Sequence, residues 1–319
     1  MNNQLTRYDP KNTALMVPID LTAFISEWLN NLQQRVDAQE ISADTATAYR
    51  RGCDKFLVWL AQQQPTSDTI RQWKAELLKA GTRPASVNAW LAGVRSFFSW
   101  LAEVGQIPFD PTQAIKGATR KGTKKRHVRE ALTDSEARRV MAKPNRETSE
   151  GIRDYAMLTV MLYTAARGIE LHRADIADLR TTQGKLVLFV QGKGHMEKDD
   201  MLVLTGEAES AMRAWLTVRG KVAGALFTSL SNRTKGERLS RRALREIVKE
   251  YFDAAGVHGN KTTHSLRHTA ITSAIRHGAP AEKVRGMSRH ASLDTLMIYY
   301  HEADRIDDPA EQYISYDKP

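Results

Sequence analysis

Apolar residues in the first hundred positions recur every three or four residues, in stretches separated by turn-forming residues. This period places the apolar side chains on one face of a helix and the polar side chains on the other. Four helices are predicted, over about 20–37, from about Ser42 to just before Pro65, over about 67–79, and from the Pro84-Ala85-Ser86 segment to Gly105. Four amphipathic helices in succession predict a small all-helical domain.

The segment from 107 to 130 differs in composition from these helices. Proline and glycine interrupt it, and seven Lys and Arg residues lie between positions 116 and 129. A basic run between domains is ordinarily a solvated linker, and it can also lie along a polyanion. We therefore predict a flexible tail over 1–17, a helical domain over 18–106, a basic linker over 107–130, a second domain over 131–302 and a C-terminal tail over 303–319.

The second domain mixes helical and strand patterns. Thr133 and Glu136 form a capping box at its first helix, and a long apolar run follows. Residues 186–190 and 201–204 are short β-rich runs joined through a Gly192-Lys193-Gly194 turn, which predicts a hairpin. Further helices are predicted over about 207–218, 240–255 and 263–277. The predicted fold class is mainly α with a small β-hairpin or sheet, as a helical domain followed by a mixed α/β domain.

A final helix carries two adjacent tyrosines. Leu293, Leu296 and Met297 define its apolar stripe. At about 100° per residue, Tyr300 falls on that stripe and Tyr299 points roughly 110° away from it. We therefore predict that Tyr300 packs in the core and that Tyr299 is exposed to a substrate.

Charge and cysteine usage narrow the class of protein. The formal net charge is +10 at pH 7 and the pI is near 9.6, which favours a polyanionic partner such as nucleic acid. Cys53 is the only cysteine, which excludes an internal disulfide and fits a reducing compartment. No apolar run reaches membrane-spanning length, and the first residues do not resemble a signal peptide. We therefore expect a cytoplasmic protein that does not bind a membrane.

Groups suited to phosphoryl transfer gather near the C-terminus. His264 and Arg267 are three residues apart at the start of a predicted helix, where the free N–H groups favour a phosphate. A phenol such as Tyr299 can attack phosphorus, a guanidinium can hold phosphate oxygens, and an imidazole such as that of His264 can move protons. Singly, each of these residues also has an ordinary explanation, as a cap, a solvated side chain or a packed aromatic.

Their order and spacing resemble the C-terminal signature of the phage-integrase-type tyrosine recombinases. The run His264-Ser265-Leu266-Arg267-His268-Thr269 is similar to the family's H-x-L-R-H-T. Tyr299 follows His290 by nine residues, which is the family's spacing between its second histidine motif and its nucleophile. The sequence departs from the family at Arg289, where Gly is usual.

Two upstream matches complete the resemblance. The run Thr164-Ala165-Ala166-Arg167-Gly168-Ile169-Glu170-Leu171 resembles the family's T-G-x-R-x-x-E-L, with Ala165 in place of Gly. Lys193 in the predicted hairpin turn matches the family's lysine, and Lys198 is a weaker match. The implied catalytic set is Arg167, Lys193, His264, Arg267, His290 and Tyr299.

The resemblance implies a helical SAM-like core-binding domain followed by a tyrosine-recombinase catalytic domain. It implies that Tyr299 attacks a DNA phosphate to form a 3′-phosphotyrosyl link, while Arg167 and Arg267 hold the non-bridging oxygens. Because this link conserves the energy of the broken bond, neither ATP, a metal nor any other cofactor is expected. The sequence shows no P-loop and no zinc-protease motif.

The partner implied is double-stranded DNA with specific recombination sites, bound by four copies of the chain. In this family the C-terminal tail often docks on a neighbouring subunit, and the sequence leaves open that it folds onto its own domain. Accessory proteins and the recombination outcome are also open. Candidate DNA contacts, each of which a solvated surface explains equally well, are Arg50, Arg51, Arg83, Arg95, Lys121, Lys124, Lys125, Arg241 and Arg242.

Two other classes of protein compete with a site-specific recombinase. A type IB topoisomerase uses similar groups but relaxes DNA as a monomer, and the small helical first domain favours recombination over this alternative. A non-catalytic DNA-binding protein of the same fold would be expected to have lost some of the six catalytic residues, and all six are present.

Overall fold

The computed structural model describes residues 20–61, 63–119, 130–192, 197–290, 296–297 and 299. The chain divides into two compact units, Met1–Lys124 and Lys125–Pro319. The predicted tails at 1–17 and 303–319 lie outside the described residues.

The first unit is helical, as predicted. A short 3₁₀ turn, Leu21–Phe24, precedes four α-helices: α1 (Ile25–Asp37), α2 (Ala43–Leu60), α3 (Ser67–Lys79) and α4 (Pro84–Glu103). The starts of α2 and α3 are fixed by Ser42 and Thr66, whose hydroxyls accept a hydrogen bond from the backbone of the first turn. Pro84 occupies the first turn of α4, where its missing N–H costs nothing.

Aromatic side chains fill the core of this unit. Trp28, Phe56, Trp73, Phe97 and Phe98 are almost completely buried, and their rings meet mostly edge to face. They come from all four helices, so no helix of the unit buries its apolar face alone. These aromatic residues therefore hold the unit together.

Residues 107–119, which the sequence analysis assigned to the basic linker, pack against the helical unit. Ile107 and Ile115 are each 3% exposed and belong to its core. The Ser67 hydroxyl donates to the Pro111 carbonyl, and the Arg95 guanidinium donates to the Ile115 carbonyl. Two buried isoleucines spaced among prolines and lysines give no periodic pattern, so the composition alone suggested a linker.

The second unit contains seven α-helices and three strands. The helices are α5 (Asp134–Met141), α6 (Ser149–Thr164), α7 (Gly168–Arg173), α8 (Glu207–Arg219), α9 (Arg241–Ala254), α10 (Thr263–Arg276) and α11 (Ala281–Ser288), all within the described ranges. The strands are β1 (Leu179–Thr182), β2 (Lys185–Val190) and β3 (Asp200–Leu204). The capping box of Thr133 and Glu136 at α5 is confirmed.

The strands form one antiparallel sheet in the order β1-β2-β3. The predicted hairpin is β2 paired with β3, with Leu186 opposite Leu204 and Val190 opposite Asp200. Strand β1 was not predicted, because its Leu-Arg-Thr-Thr sequence is mostly exposed and lacks alternating apolar residues. The fold class of a helical domain followed by a mainly helical domain with a small sheet is confirmed.

Candidate active site

The turn between α6 and α7 presents Arg167. Helix α6 ends at Ala165, which adopts a left-handed conformation with φ of +53°. Glu170, one turn into α7, accepts hydrogen bonds from the Arg167 backbone N–H and from Arg167 Nη1, both at 2.7 Å. The Glu170 side chain is fully buried, whereas that of Arg167 is 21% exposed. The buried Glu170 carboxylate therefore orients Arg167, and part of the Arg167 side chain remains accessible to solvent.

Helix α10 supplies His264 and Arg267 from its first two turns. His264 is exposed, whereas Arg267 is only 1% exposed. The Arg267 guanidinium donates to the Ala165 carbonyl at 2.6 Å and to the Ser288 carbonyl. Burial, together with the charges of Arg167 and Arg289, lowers the pKa of Arg267 to about 9. Arg267 is therefore still cationic at pH 7, and its positive charge is not fully compensated.

Arg289, which stands where the family usually has Gly, adds a third guanidinium. Its backbone is left-handed, with φ of +54°, so this residue keeps the turn that glycine would make. Its side chain is 6% exposed, and Nη2 lies 2.8 Å from Glu170 Oε2. Burial lowers the pKa of Arg289, with the charge of Arg167 acting in the same direction, although Glu170 opposes both. Arg167 and Arg289 thus share the Glu170 carboxylate, and Arg267 lies close enough for its pKa to be affected by the charges of all three.

Tyr299 lies among histidine rings and is buried, so the prediction that it is exposed was wrong. It is 3% exposed and packs with Leu296, which is fully buried, whereas Met297 is 39% exposed. Residues 296 and 299 are three apart and share a face, so the buried face contains Leu296, as predicted, together with Tyr299 in place of Met297. Tyr300 lies outside the described residues.

His268 is a member of this cluster that was not included in the predicted catalytic set. Its ring centroid lies 4.9 Å from that of Tyr299 and 5.1 Å from that of His264. On the other side of the tyrosine, the His290 ring stacks at 5.8 Å. The signal was present in the sequence, because His268 follows His264 by one helical turn on the same face.

A groove of about 800 Å³ opens beside Arg167 and His264. Leu244, Val248 and Phe252 of α9 supply apolar lining. Cationic side chains from three segments also line it, namely Arg167, Arg241, Arg245, Lys249 and Lys261. An elongated polyanion that entered this groove would contact positive charge along α9 and reach the first turn of α10.

Two protein-family models match this chain. The family model described as "Phage integrase family" matches residues 130–305, which is more than half of the chain, and "Phage integrase, N-terminal SAM-like domain" matches residues 25–105. The chain belongs to the phage integrase family. The two matched ranges fall one in each structural unit.

Curated relatives of similar length carry the same kind of name. A tyrosine recombinase of Synechocystis sp. (slr0733) is 26% identical over 84% of this chain and 90% of its own length. Tyrosine recombinase XerC of Pelobacter propionicus is 29% identical over 82% of this chain and 86% of its own length.

Solved structures share the fold at low sequence identity. XerH site-specific recombinase, in a post-cleavage complex with a palindromic difH substrate, has a TM-score of 0.65 and 19% identity, covering 89% of this chain and 84% of that one. A lambda integrase tetramer bound to a Holliday junction has a TM-score of 0.64 and 16% identity, covering 87% and 80%.

The family's hairpin lysine has two candidates in this chain. Lys193 lies outside the described residues. Lys198, the weaker candidate, donates to Asp175 Oδ2 at 2.9 Å and Asp178 Oδ2 at 2.5 Å. Burial acts to lower the pKa of Lys198, but these hydrogen bonds outweigh it and raise the pKa. Lys198 is therefore bound within the unit by two carboxylates, which is an unfavourable arrangement for a proton donor to substrate.

The other predicted DNA contacts lie in different surroundings. Arg50, Arg51 and Arg83 are exposed, whereas Arg95 is partly buried against the Ile115 carbonyl. Arg241 lines the groove, but Arg242 is 87% exposed, pairs with Glu246 at 2.7 Å and is not among the groove-lining residues. The lysines of the basic run, Lys121, Lys124 and Lys125, lie outside the described residues.

In the described ranges, no group of three or more His, Cys, Asp or Glu side chains is placed to hold a metal ion. None of the helices in those ranges is both long and apolar enough to cross a membrane.

Proposed function

We propose that this chain is a site-specific recombinase that cuts and rejoins DNA through a 3′-phosphotyrosyl intermediate. The observation that carries the proposal is that Arg167 and Arg289 bind the Glu170 carboxylate with the Arg267 guanidinium close by, in the same unit as Tyr299 and its histidine neighbours. Three guanidinium groups close together suit a phosphodiester and the more negative transition state.

In the proposed first step, the Tyr299 hydroxyl oxygen attacks a backbone phosphorus. The new bond joins the phenol oxygen to phosphorus, and the bond from phosphorus to the 5′ oxygen breaks, releasing a 5′-hydroxyl end. Attack by the 5′-hydroxyl of a second DNA reverses these bonds and completes the exchange. Each phosphodiester lost is replaced by a bond of the same kind, so cleavage is expected to proceed in EDTA and without ATP.

The proton transfers are assigned to three residues of the predicted catalytic set. We assign removal of the Tyr299 proton to His264, a hydrogen bond to the phosphate to His290, and protonation of the leaving 5′ oxygen to Lys193. Because Tyr299 is buried, DNA binding must uncover its hydroxyl before attack.

Arg245 and Lys249 join Arg241 as proposed phosphate contacts, because all three line the groove that leads to Arg167 and His264. The exposed Arg50, Arg51 and Arg83 are proposed contacts of the first unit. We propose that four copies assemble on two DNA sites in the cytoplasm. That the lambda integrase tetramer bound to a Holliday junction has the same fold supports this assembly.

Replacing Arg245 with Ala is expected to weaken binding to all DNA sequences about equally. If one phosphate contact is lost, the slope of log K against log salt decreases by about 1. The measurement is fluorescence anisotropy of labelled duplex DNA over a series of salt concentrations. Arg242→Ala is the matched control on the same helix, because Arg242 lies outside the groove lining. Equal slopes for the Arg245 variant and the unaltered chain would contradict the proposed DNA path.

The function is tested with a plasmid that carries two copies of DNA from the flanks of the protein's own gene. A recombinase deletes or inverts the segment between the copies, and a suicide substrate nicked beside the cleavage point traps its covalent adduct. Relaxation of supercoils without exchange would favour a topoisomerase. Tight binding with no adduct on any flanking sequence would favour a non-catalytic DNA-binding protein.

A further inference from the structure

Arg289 occupies a backbone conformation that disfavours every residue with a Cβ. Its φ of +54° and ψ of +45° lie in the left-handed region, at the C-terminal cap of α11. Glycine meets this requirement without steric strain. At Arg289, the side-chain contacts offset the cost of this conformation.

Those contacts are numerous and buried. Arg289 Nη1 donates to the Met287 carbonyl at 2.7 Å, and Nη2 donates to Glu170 Oε2 at 2.8 Å and to the Ala165 carbonyl at 3.2 Å. The side chain therefore joins the end of α11 to the turn after α6, across more than a hundred residues of sequence. A buried guanidinium needs such partners to offset its desolvation.

The same carboxylate that binds Arg289 also binds Arg167. Glu170 Oε1 accepts from Arg167 Nη1 and Oε2 accepts from the Arg167 backbone, while Oε2 also accepts from Arg289. A carboxylate with partners on both oxygens has one orientation, and so does the guanidinium that it holds. Both terminal nitrogens of Arg289 are already engaged by Glu170 and by main-chain carbonyls, and its Nε is enclosed without a hydrogen-bond partner in the described part of the chain.

We propose that Arg289 is a positioning residue that fixes Arg167 for phosphate binding by holding the opposite side of the Glu170 carboxylate. The proposal rests on the recombinase function above. A glycine, which the family usually has at this position, has no side chain to contact Glu170. The Arg289 side chain makes that contact and thereby orders the phosphate-binding Arg167. It acts on the rate of cleavage rather than on DNA affinity.

The test compares single-turnover adduct formation on the nicked substrate at saturating protein. Arg289→Gly is expected to slow this step by roughly 10- to 100-fold, the cost usual for losing a group that orients an active-site ligand. DNA affinity should change by less than about 3-fold, since phosphate contacts in the groove are untouched. Arg285→Ala, on the same helix and partly exposed, is the control and should cleave at the unaltered rate.

A double-mutant cycle with Glu170→Gln tests whether Arg289 acts through the Glu170 carboxylate. In the Glu170→Gln background, Arg289→Gly should slow cleavage by less than about 3-fold, because the carboxylate through which it acts is already gone. An equal loss in both backgrounds, or no loss in either, would overturn the proposal. If Arg289→Gly does not fold, Arg289→Lys is compared in the same two backgrounds, and a loss that depends on Glu170 is the supporting result.

Failure of the proposal is distinguishable from failure of the function. A wild-type chain that forms no adduct contradicts the recombinase function and this inference with it. A wild-type chain that forms the adduct at the same rate as Arg289→Gly contradicts only the inference.

Discussion

Tyr299→Phe is expected to bind DNA as tightly as the unaltered chain and to form no covalent adduct with it. The phenol oxygen is the only atom lost, and in the proposed reaction that oxygen forms the bond to phosphorus. Loss of a nucleophile removes the covalent route altogether, so the cleavage rate should fall by at least about 10⁴-fold, below detection. The measurement is denaturing electrophoresis of protein incubated with end-labelled nicked DNA.

Two further tyrosines provide controls. Tyr300→Phe removes the neighbouring hydroxyl, and Tyr163→Phe removes a phenol that is half exposed on α6. Both variants should form the adduct at the unaltered rate. An adduct that persists in Tyr299→Phe and disappears in Tyr300→Phe would assign the nucleophile to Tyr300 instead.

Arg267→Ala is expected to reduce cleavage by about 100- to 1000-fold, the usual cost of losing one preorganised charge-stabilising donor. Burial and the two neighbouring arginines destabilise the positive charge of Arg267, and the surrounding groups do not fully compensate it. A phosphate that enters the site supplies that compensation, and more so as negative charge develops in the transition state. The measurement is the single-turnover rate of adduct formation at saturating protein.

Folding must be separated from chemistry in this variant, because Arg267 also holds the Ala165 and Ser288 carbonyls. Arg267→Lys keeps the charge but loses the planar fork of donors, so it should recover only part of the rate. Arg276→Ala, at the exposed end of the same helix, should cleave like the unaltered chain. Full activity in a folded Arg267→Ala variant would exclude Arg267 from phosphate stabilisation.

Much of the fold follows from local signals in the sequence. The bounds of α10 were predictable because Gly278 and Pro280 stop the helix after it has run from Thr263. The β2–β3 pairing was predictable from two β-rich runs about ten residues apart. The proposed catalytic residues could be named from the sequence for the same reason, since each lies in a short motif whose spacing is local.

What the sequence did not reveal depends on contacts between distant segments. The Arg289–Glu170 pair spans 119 residues, so no local pattern reports it. The prediction that Tyr299 is exposed was wrong because three apolar residues do not define the buried face of a helix. That face is decided by packing in the hydrophobic cluster that contains Ile271 and Ala165. The packing of residues 107–119 was missed because charge and proline content outweighed two isolated isoleucines.

The covalent bond itself is the most direct test of this account. Protein trapped on the nicked substrate is digested with nuclease and protease, and the peptide that retains nucleotide is sequenced by tandem mass spectrometry. The account predicts a phosphoryl group on Tyr299, joined to the 3′ end of the cut strand. A nucleotide attached to any other side chain, or a link to the 5′ end, would contradict it.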